Sequence, residues 1–306
     1  MKDLLIVGGS AAGVAAAVYA RRRNLDFLLL SEDIGGEVAT SGEIENYLGF
    51  PKTDGIALSE KFKEQLTYNQ IEHREVKVEK VEKKNSHFVA RGKENGQPQE
   101  FEAKTVLIAT GVHPREMNVK GEKELRGKGV SYCTTCDGPL FKDKVTATIG
   151  GGNSGLESVL MLEQIASKAY ILQRGEKLTG DDILIQKVTN SPKIEVIYNA
   201  DTKEIYGDTF VKGLRYEDMK TKEVKDLPAE GIFIHIGMIP NSSMIDIVEK
   251  NDFGEIKVDM LCKTSTPGIF AAGDVTNVPY KQIAIAAGQG TCAALAVVDY
   301  LNKLQN

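Results

Sequence analysis

A glycine-rich turn between a short apolar strand and a helix constrains the fold of this chain more than any other feature. The strand is 145–149, and the turn at 150–155 matches the pattern G-x-G-x-x-G in full. A helix over 156–165 and a strand over 169–172 follow, which completes a βαβ motif. Such glycines let a pyrophosphate approach N–H groups at the helix N-terminus, so the motif predicts a dinucleotide site. The candidate contacts are Gly150, Gly152, Asn153, Ser154 and Gly155.

A second βαβ motif stands at the start of the chain. Strand 3–7 leads into a glycine turn, an Ala-rich helix over 14–23 follows, and strand 27–30 ends just before Glu32. The match is imperfect because Ser10 occupies the middle-glycine position. A carboxylate in the place of Glu32 could accept bonds from ribose hydroxyls. The candidate contacts here are Gly8, Gly9, Ser10, Ala11, Ala12, Gly13 and Glu32.

The remaining elements surround these two motifs. Asp274 follows an apolar stretch, where its carboxylate could bond a ribityl hydroxyl of a flavin or simply form a turn, and both interpretations stay open. The pattern predicts a helix over 56–71, an antiparallel meander over 73–106, strands over 105–111, 229–237 and 267–274, and a final helix over 284–302.

Two cysteines separated by two residues, Cys133 and Cys136, precede Asp137. Such a pair can close and reopen a disulfide, and Asp137 could shuttle a proton to or from its thiolates. Half of a zinc site is the common alternative, but the four histidines show no metal spacing and no metal site is expected. Cys262 and Cys292 lie far from this pair in the sequence and are expected to be small buried residues.

Composition excludes several classes of function. The 306 residues carry a formal net charge of −5, which does not suggest binding to nucleic acid. We expect no apolar run long enough to span a bilayer and no leader peptide, hence a cytoplasmic protein without a membrane partner. In the cytoplasm a Cys-x-x-Cys is more often catalytic than structural.

With these residues in hand, the chain resembles the low-molecular-weight thioredoxin reductases over essentially its whole length. Within that family it is most similar to the reductase part of the alkyl hydroperoxide reductase flavoproteins, without their extra N-terminal thioredoxin-like region. The family likeness lies in both glycine turns and in segments 45–47, 109–111, 133–138 and 271–274, and the closer likeness in 136–142, 231–241 and 278–283.

The resemblance implies an α/β fold with two Rossmann-like dinucleotide-binding domains of three-layer ββα type. The FAD domain would be discontinuous, formed by residues 1–113 and 244–306. The NAD(P)H domain, residues 114–243, would be inserted in it and carry the cysteines. Members of the family are usually homodimers. Matching flavin positions are Glu32, Asn46, Thr110, Gly111, Gly273, Asp274, Lys281, Gln282 and Ile283.

The resemblance also implies the direction of electron flow. Two electrons would pass from NAD(P)H through FAD to a Cys133–Cys136 disulfide, and then to a thioredoxin or another small thioredoxin-fold protein. Cys133 would be the outer thiol that attacks the partner's disulfide. Cys136 would face the flavin, and Asp137 would act as acid and base.

The electron donor is ambiguous in the sequence. The NADPH-using members clamp the 2′-phosphate with several Arg, whereas here Gln173 and Arg174 are followed by Gly175 and, further on, Thr179. The missing guanidinium groups favour NADH over NADPH, with Gln173 and Arg174 as candidate contacts. Reduction by ferredoxin or by free reduced flavin is an alternative, as is a redox sensor or interaction protein that turns over no nucleotide.

Overall fold

The computed structural model describes residues 1–41 and 43–305. The strands are β1 Lys2–Val7, β2 Phe27–Ser31, β3 Glu43–Ile44, β4 Thr53–Asp54, β5 His73–Lys84, β6 His87–Glu94, β7 Gln97–Ile108, β8 Val112–Pro114, β9 Val130–Ser131, β10 Val145–Ile149, β11 Lys168–Gln173, β12 Ile194–Tyr198, β13 Ala200–Gly207, β14 Val211–Asp218, β15 Val224–Pro228, β16 Gly231–Ile234, β17 Met238–Pro240 and β18 Ile269–Ala271. The α-helices are α1 Ala11–Arg22, α2 Gly55–Tyr68, α3 Thr134–Asp137, α4 Asn153–Glu163, α5 Asp182–Asn190 and α6 Ile283–Gln305.

The chain forms two compact units. The outer unit joins Met1–His113 to the chain from Ile239 onward, and the inserted unit is Pro114–Met238. Both are mixed α/β structures built around a largely parallel sheet. The predicted α/β fold class is therefore confirmed.

The outer unit contains a six-stranded sheet in the order β1-β2-β5-β6-β7-β18, with an additional pairing of β1 and β7. Strand β1 is buried on both faces: Leu4 and Ile6 enter one apolar cluster, while Leu5 and Val7 enter another. This explains the uninterrupted apolar sequence from Leu4 to Val7, since a parallel strand covered on both sides has no solvated face.

The meander of the outer unit is continuous with its parallel sheet. Strand β7 runs antiparallel to β6 at its start and parallel to β1 and β18 at its end. The last strand of the meander predicted over 73–106 and the strand predicted over 105–111 are therefore one strand here. Strand β7 is twelve residues long and carries both the alternating pattern of a hairpin and a continuous apolar pattern. Sequence periodicity therefore predicted two strands in place of one.

Helix α6 packs against α1 in the outer unit. A Cβ placed on Gly290 of α6 would lie 2.0 Å from the carbonyl oxygen of Ala12, so the two helices approach closely at this point. By length and composition alone, Ile283–Leu304 is apolar enough to cross a membrane, which corrects the expectation that no run is long enough. Core helices of globular proteins pass the same test.

The inserted unit has a five-stranded sheet in the order β12-β11-β10-β16-β9 and a three-stranded antiparallel sheet, β13-β14-β15. Strand β10 has the predicted bounds, whereas α4 begins at Asn153, three residues before the predicted start. The end of the glycine turn is thus the first turn of the helix. Strand β16 covers only the centre of the predicted 229–237 segment.

Candidate active site

The predicted flavin residues of the outer unit follow the carboxyl ends of its parallel strands. The glycine turn follows β1, Glu32 follows β2, Thr110 and Gly111 follow β7, and Gly273 and Asp274 follow β18. Parallel strands end at one edge of a sheet, which is where α/β proteins bind ligands. Lys281 and Gln282 precede α6, which starts at Ile283, and the Asn46 amide donates to the Gln282 side chain at 3.3 Å.

The inserted unit has the same arrangement. Strands β9, β10, β11 and β16 are parallel, and their carboxyl ends lead to the cysteine pair, the second glycine turn, Arg174 and His235, respectively. The redox pair and the nucleotide turn therefore lie at the same edge of one sheet, although they are far apart in the sequence.

The two glycine turns have nearly the same backbone. A Cβ on Gly13 would lie 1.7 Å from the carbonyl oxygen of Gly8, and a Cβ on Gly155 would lie 1.8 Å from that of Gly150. Any larger residue would push the helix away from the turn. This close approach lets each helix begin directly at its glycine turn, the geometry in which helix N–H groups can meet a pyrophosphate.

Ser10 takes the place of the middle glycine without strain. Its φ of −100° and ψ of −164° lie in the extended region that any residue adopts, and its hydroxyl donates to the carbonyl oxygen of Gly35 at 2.6 Å. The departure from the glycine pattern is thus compatible with the turn.

Asp274 carries an unpaired buried oxygen. Its Oδ1 has no hydrogen-bond partner among the described residues. Burial raises the pKa of Asp274 to about 6, and the positive charge of Lys281 opposes that rise. A buried acceptor without a donor is costly in the protein alone and suits a ligand hydroxyl. The residues present therefore fit a flavin with a polyol chain.

A cavity of about 490 Å³ opens at the end of β2. Glu32, His73 and Leu66 are among its lining residues, and Lys77 forms an ion pair with Glu32 at 3.4 Å. The cavity provides room for a nucleoside beside the carboxylate predicted to hold ribose.

The Cys133–Cys136 disulfide is formed in this structure. Cys133 caps the short helix α3, and its Sγ accepts a hydrogen bond from the Cys136 N–H at 3.2 Å. Both cysteines are half-buried, so exposure does not distinguish the attacking thiol from the other.

Ser131 connects Asp137 to Cys133. The Ser131 hydroxyl donates to Oδ2 of Asp137 at 2.6 Å and accepts from the backbone N–H of Cys133 at 3.0 Å. This bond fixes the carboxyl group that we expect to act as acid and base. Sequence reasoning missed Ser131, and its position two residues before Cys133 was the available signal.

A buried acid supports the loop in front of the cysteines. Glu122 is fully buried and accepts from the N–H groups of Met117 and Val119 and, at 2.7 Å, from the hydroxyl of Tyr132. Burial, followed by the bond to Glu122, raises the pKa of Tyr132 above its ordinary value. Neither residue was identified from the sequence.

Gln173 and Arg174 are both occupied by neighbouring groups. The Gln173 side chain accepts from the N–H of Gly151 at 3.2 Å and donates to the carbonyl of Lys177 at 2.9 Å. Arg174 pairs with Asp201 at 3.1 Å. Gln173 thus supports the glycine turn, and the single Arg of the predicted clamp has an acidic partner.

Cys262 and Cys292 are neighbours in space, which the sequence did not indicate. Burial and the adjacent Cys292 raise the pKa of the Cys262 thiol to about 12, in keeping with the expected small buried residue. Cys292 is only partly buried, which corrects the same expectation for that residue. Among residues 1–41 and 43–305, no cluster of three or more His, Cys, Asp or Glu could hold a metal ion.

Two βαβ motifs with glycine turns and a Cys-x-x-Cys disulfide are features that this chain shares with pyridine nucleotide-disulphide oxidoreductases. The chain belongs to the pyridine nucleotide-disulphide oxidoreductase family, whose model matches residues 2–290. Family membership confirms the resemblance found in the sequence.

Individual relatives agree with this assignment. An alkyl hydroperoxide reductase subunit of Pseudomonas aeruginosa is 42% identical over 98% of this chain, and a Bacillus subtilis protein named NADH dehydrogenase is 40% identical over 98%. The chain spans 58% of the length of each. The thioredoxin reductase of Streptococcus pyogenes superposes with a TM-score of 0.90 at 35% identity, covering 99% of both chains.

Proposed function

We propose that this chain uses NADH to reduce the disulfide of a small thioredoxin-fold protein. The observation that carries the proposal is the Cys133–Cys136 disulfide at the same sheet edge as the complete glycine turn. A redox pair beside a nucleotide turn has no evident use in a purely structural or binding protein. The names of the relatives, a thioredoxin reductase and a hydroperoxide reductase component, support this interpretation.

The outer unit, residues 1–113 and 244–306, is proposed to hold FAD, and residues 114–243 to hold the nicotinamide nucleotide. When bound, FAD accepts two electrons from a nicotinamide and delivers them to a disulfide. Its pyrophosphate would lie on the turn at 8–13, its ribose at Glu32 and its polyol chain at Asp274. Asn46, Thr110, Gly111, Gly273, Lys281, Gln282 and Ile283 would complete the site.

The chemistry with the partner belongs to the two cysteines. The Cys133 thiolate attacks the partner's disulfide to form a mixed disulfide and release one partner thiolate. Cys136 then attacks Cys133, which frees the second partner thiol and restores the Cys133–Cys136 disulfide. Asp137, held by Ser131, takes and returns the protons of this exchange.

NADH is the proposed electron donor because the described turn after β11 presents no guanidinium clamp. Arg174 is engaged by Asp201, and Gly175 and Thr179 replace the further Arg of the NADPH-using members. The Gln173 side chain is bonded to its own turn, so it adds no positive charge for the 2′-phosphate. A cytoplasmic homodimer is the proposed working form, and sedimentation analysis tests its size.

Anaerobic mixing of the FAD-loaded protein with NADH tests the function. We expect rapid bleaching of the flavin absorbance, followed by catalytic reduction of a thioredoxin or glutaredoxin-like protein from the source cell. Bleaching without reduction of any such protein would contradict the proposed partner. A flavin that only ferredoxin or free reduced flavin can bleach would contradict the proposed donor.

A further inference from the structure

Thr134, the residue that follows Cys133, holds the turn that carries the cysteine pair, residues 133–136, which we call the redox turn. Thr134 is 5% exposed, and its Oγ1 lies 2.5 Å from Oγ of Ser158 and 2.8 Å from Nε2 of His235. All three residues belong to the inserted unit. Their hydrogen bonds form a largely buried chain that starts at the residue next to Cys133.

The partners of Thr134 come from the nucleotide-binding framework. Ser158 lies in α4, the helix that starts in the glycine turn, and His235 follows the last residue of β16. The backbone N–H of His235 donates to the carbonyl of Ile149, the last residue of β10. The redox turn is therefore hydrogen-bonded to α4 and to the end of β16, which pairs with β10.

His235 keeps its hydrogen-bonding character at physiological pH. Burial lowers the pKa of His235 to about 4, so the ring stays neutral and retains one donor and one acceptor nitrogen. A neutral ring can either donate a hydrogen bond to the Thr134 hydroxyl or accept one from it, and it adds no positive charge near the cysteine pair.

We propose that His235 is a positioning residue for the Cys133–Cys136 couple, holding Thr134 so that the two sulfurs stay within bonding reach. Reduction of the S–S bond takes two electrons and two protons and gives two thiols, and the reverse step returns them to the oxidant. Fixing the turn raises the effective concentration of one thiol at the other and so favours the disulfide. This inference rests on the proposed redox function of the pair.

The test is the equilibrium of the pair with reduced and oxidised glutathione in the FAD-loaded protein, read by thiol alkylation and mass spectrometry. We expect His235→Ala to lower the equilibrium constant for disulfide formation about tenfold, which equals about 30 mV for a two-electron couple. Thr134→Val removes the hydroxyl at nearly constant volume and should have a similar effect. His235→Gln retains an amide near the Nε2 position and should stay within about twofold of the unmodified protein.

Thr146→Val is the matched control. Thr146 lies on β10, is fully buried, and its hydroxyl has no hydrogen-bond partner among the described residues. The same substitution there should leave the equilibrium constant unchanged. If His235→Ala does not fold, the equilibrium constants for disulfide formation in Thr134→Val and Thr146→Val still test the inference.

Two results would overturn the inference: Thr134→Val and His235→Ala matching the control, or His235→Gln shifting as far as His235→Ala. The measurement needs neither a nicotinamide nucleotide nor a protein partner. A failure of the proposed donor or partner would therefore leave this result readable, and the two failures are distinguishable.

Discussion

The two βαβ motifs share a backbone and differ in the side chain that ends their second strand. Both helices approach their turns so closely that a Cβ on Gly13 or Gly155 would overlap a carbonyl oxygen. At the end of β2, Glu32 faces a cavity, whereas at the end of β11 the Gln173 side chain bonds its own turn. We therefore propose that the backbone offers a pyrophosphate site in both motifs and that the residue at the strand end determines which nucleotide is held.

The largest effect should come from Cys133 and Cys136, which lie in the inserted unit. With Cys133→Ser or Cys136→Ser, the rate of partner disulfide reduction should fall to background, because one sulfur cannot complete the exchange. NADH should still bleach the flavin of both variants. Stopped-flow absorbance and a thioredoxin assay measure the two steps separately.

The same variants assign the two sulfurs. Cys133→Ser should leave a Cys136 thiolate that gives a long-wavelength charge-transfer band with oxidised FAD. A band in Cys136→Ser and none in Cys133→Ser would reverse the proposed roles.

Alanine at the helix glycines breaks one motif at a time. The Gly13→Ala protein should purify without FAD. The Gly155→Ala protein should stay yellow, but its KM for NADH should rise at least about 100-fold, which corresponds to the loss of one or two charge-assisted bonds. Flavin content and the rate of bleaching by NADH are the measurements. Similar FAD loss in both variants would show that the motifs are not independent.

The nucleotide preference should follow the guanidinium groups. Adding Gly175→Arg and Thr179→Arg should move the ratio of kcat/KM for NADPH and NADH at least about tenfold toward NADPH, since each charge-assisted bond contributes about 1.5–3 kcal/mol. Gln at the same two positions controls for side-chain length. A clear NADPH preference in the unmodified protein would refute the proposed donor.

The smallest effect is a difference in pH dependence between the units of the flavin-free protein. Burial raises the pKa of Asp274 to about 6, so folding binds a proton and this stability is lost as pH rises through 6. Burial lowers the pKa of His235 to about 4, so its stability is present above the unfolded value and lost as pH falls toward 4. Each contributes about 3 kcal/mol at most.

Urea unfolding between pH 4 and 7 measures these two contributions. Asp274→Asn should gain stability relative to the unmodified protein as pH rises, and His235→Gln should gain relative stability as pH falls. Parallel pH profiles for both variants and the unmodified protein would contradict both shifts.

Sequence patterns were most informative where local rules decide the structure. The bounds of β10 and the class of the fold follow from periodicity and glycine spacing, because those features determine backbone geometry locally. The bond between His235 and Thr134 was not predictable, since the parallel pairing of β9 with β16 brings these distant residues together. The partners of Ser131 and Tyr132 lie within ten residues of them, but in irregular segments for which periodicity gives no side-chain geometry. The continuity of β7 was missed because its first half shows a hairpin pattern and its second half a buried apolar pattern.

The central claim is that electrons entering as NADH reach the cysteines by way of FAD. Anaerobic titration with NADH counts them. We predict that the unmodified protein takes up four electrons per FAD, two of them appearing as Cys133 and Cys136 thiols, and that a Cys133→Ser, Cys136→Ser double variant takes up two. Two electrons per FAD in both proteins, with the disulfide intact, would contradict the account.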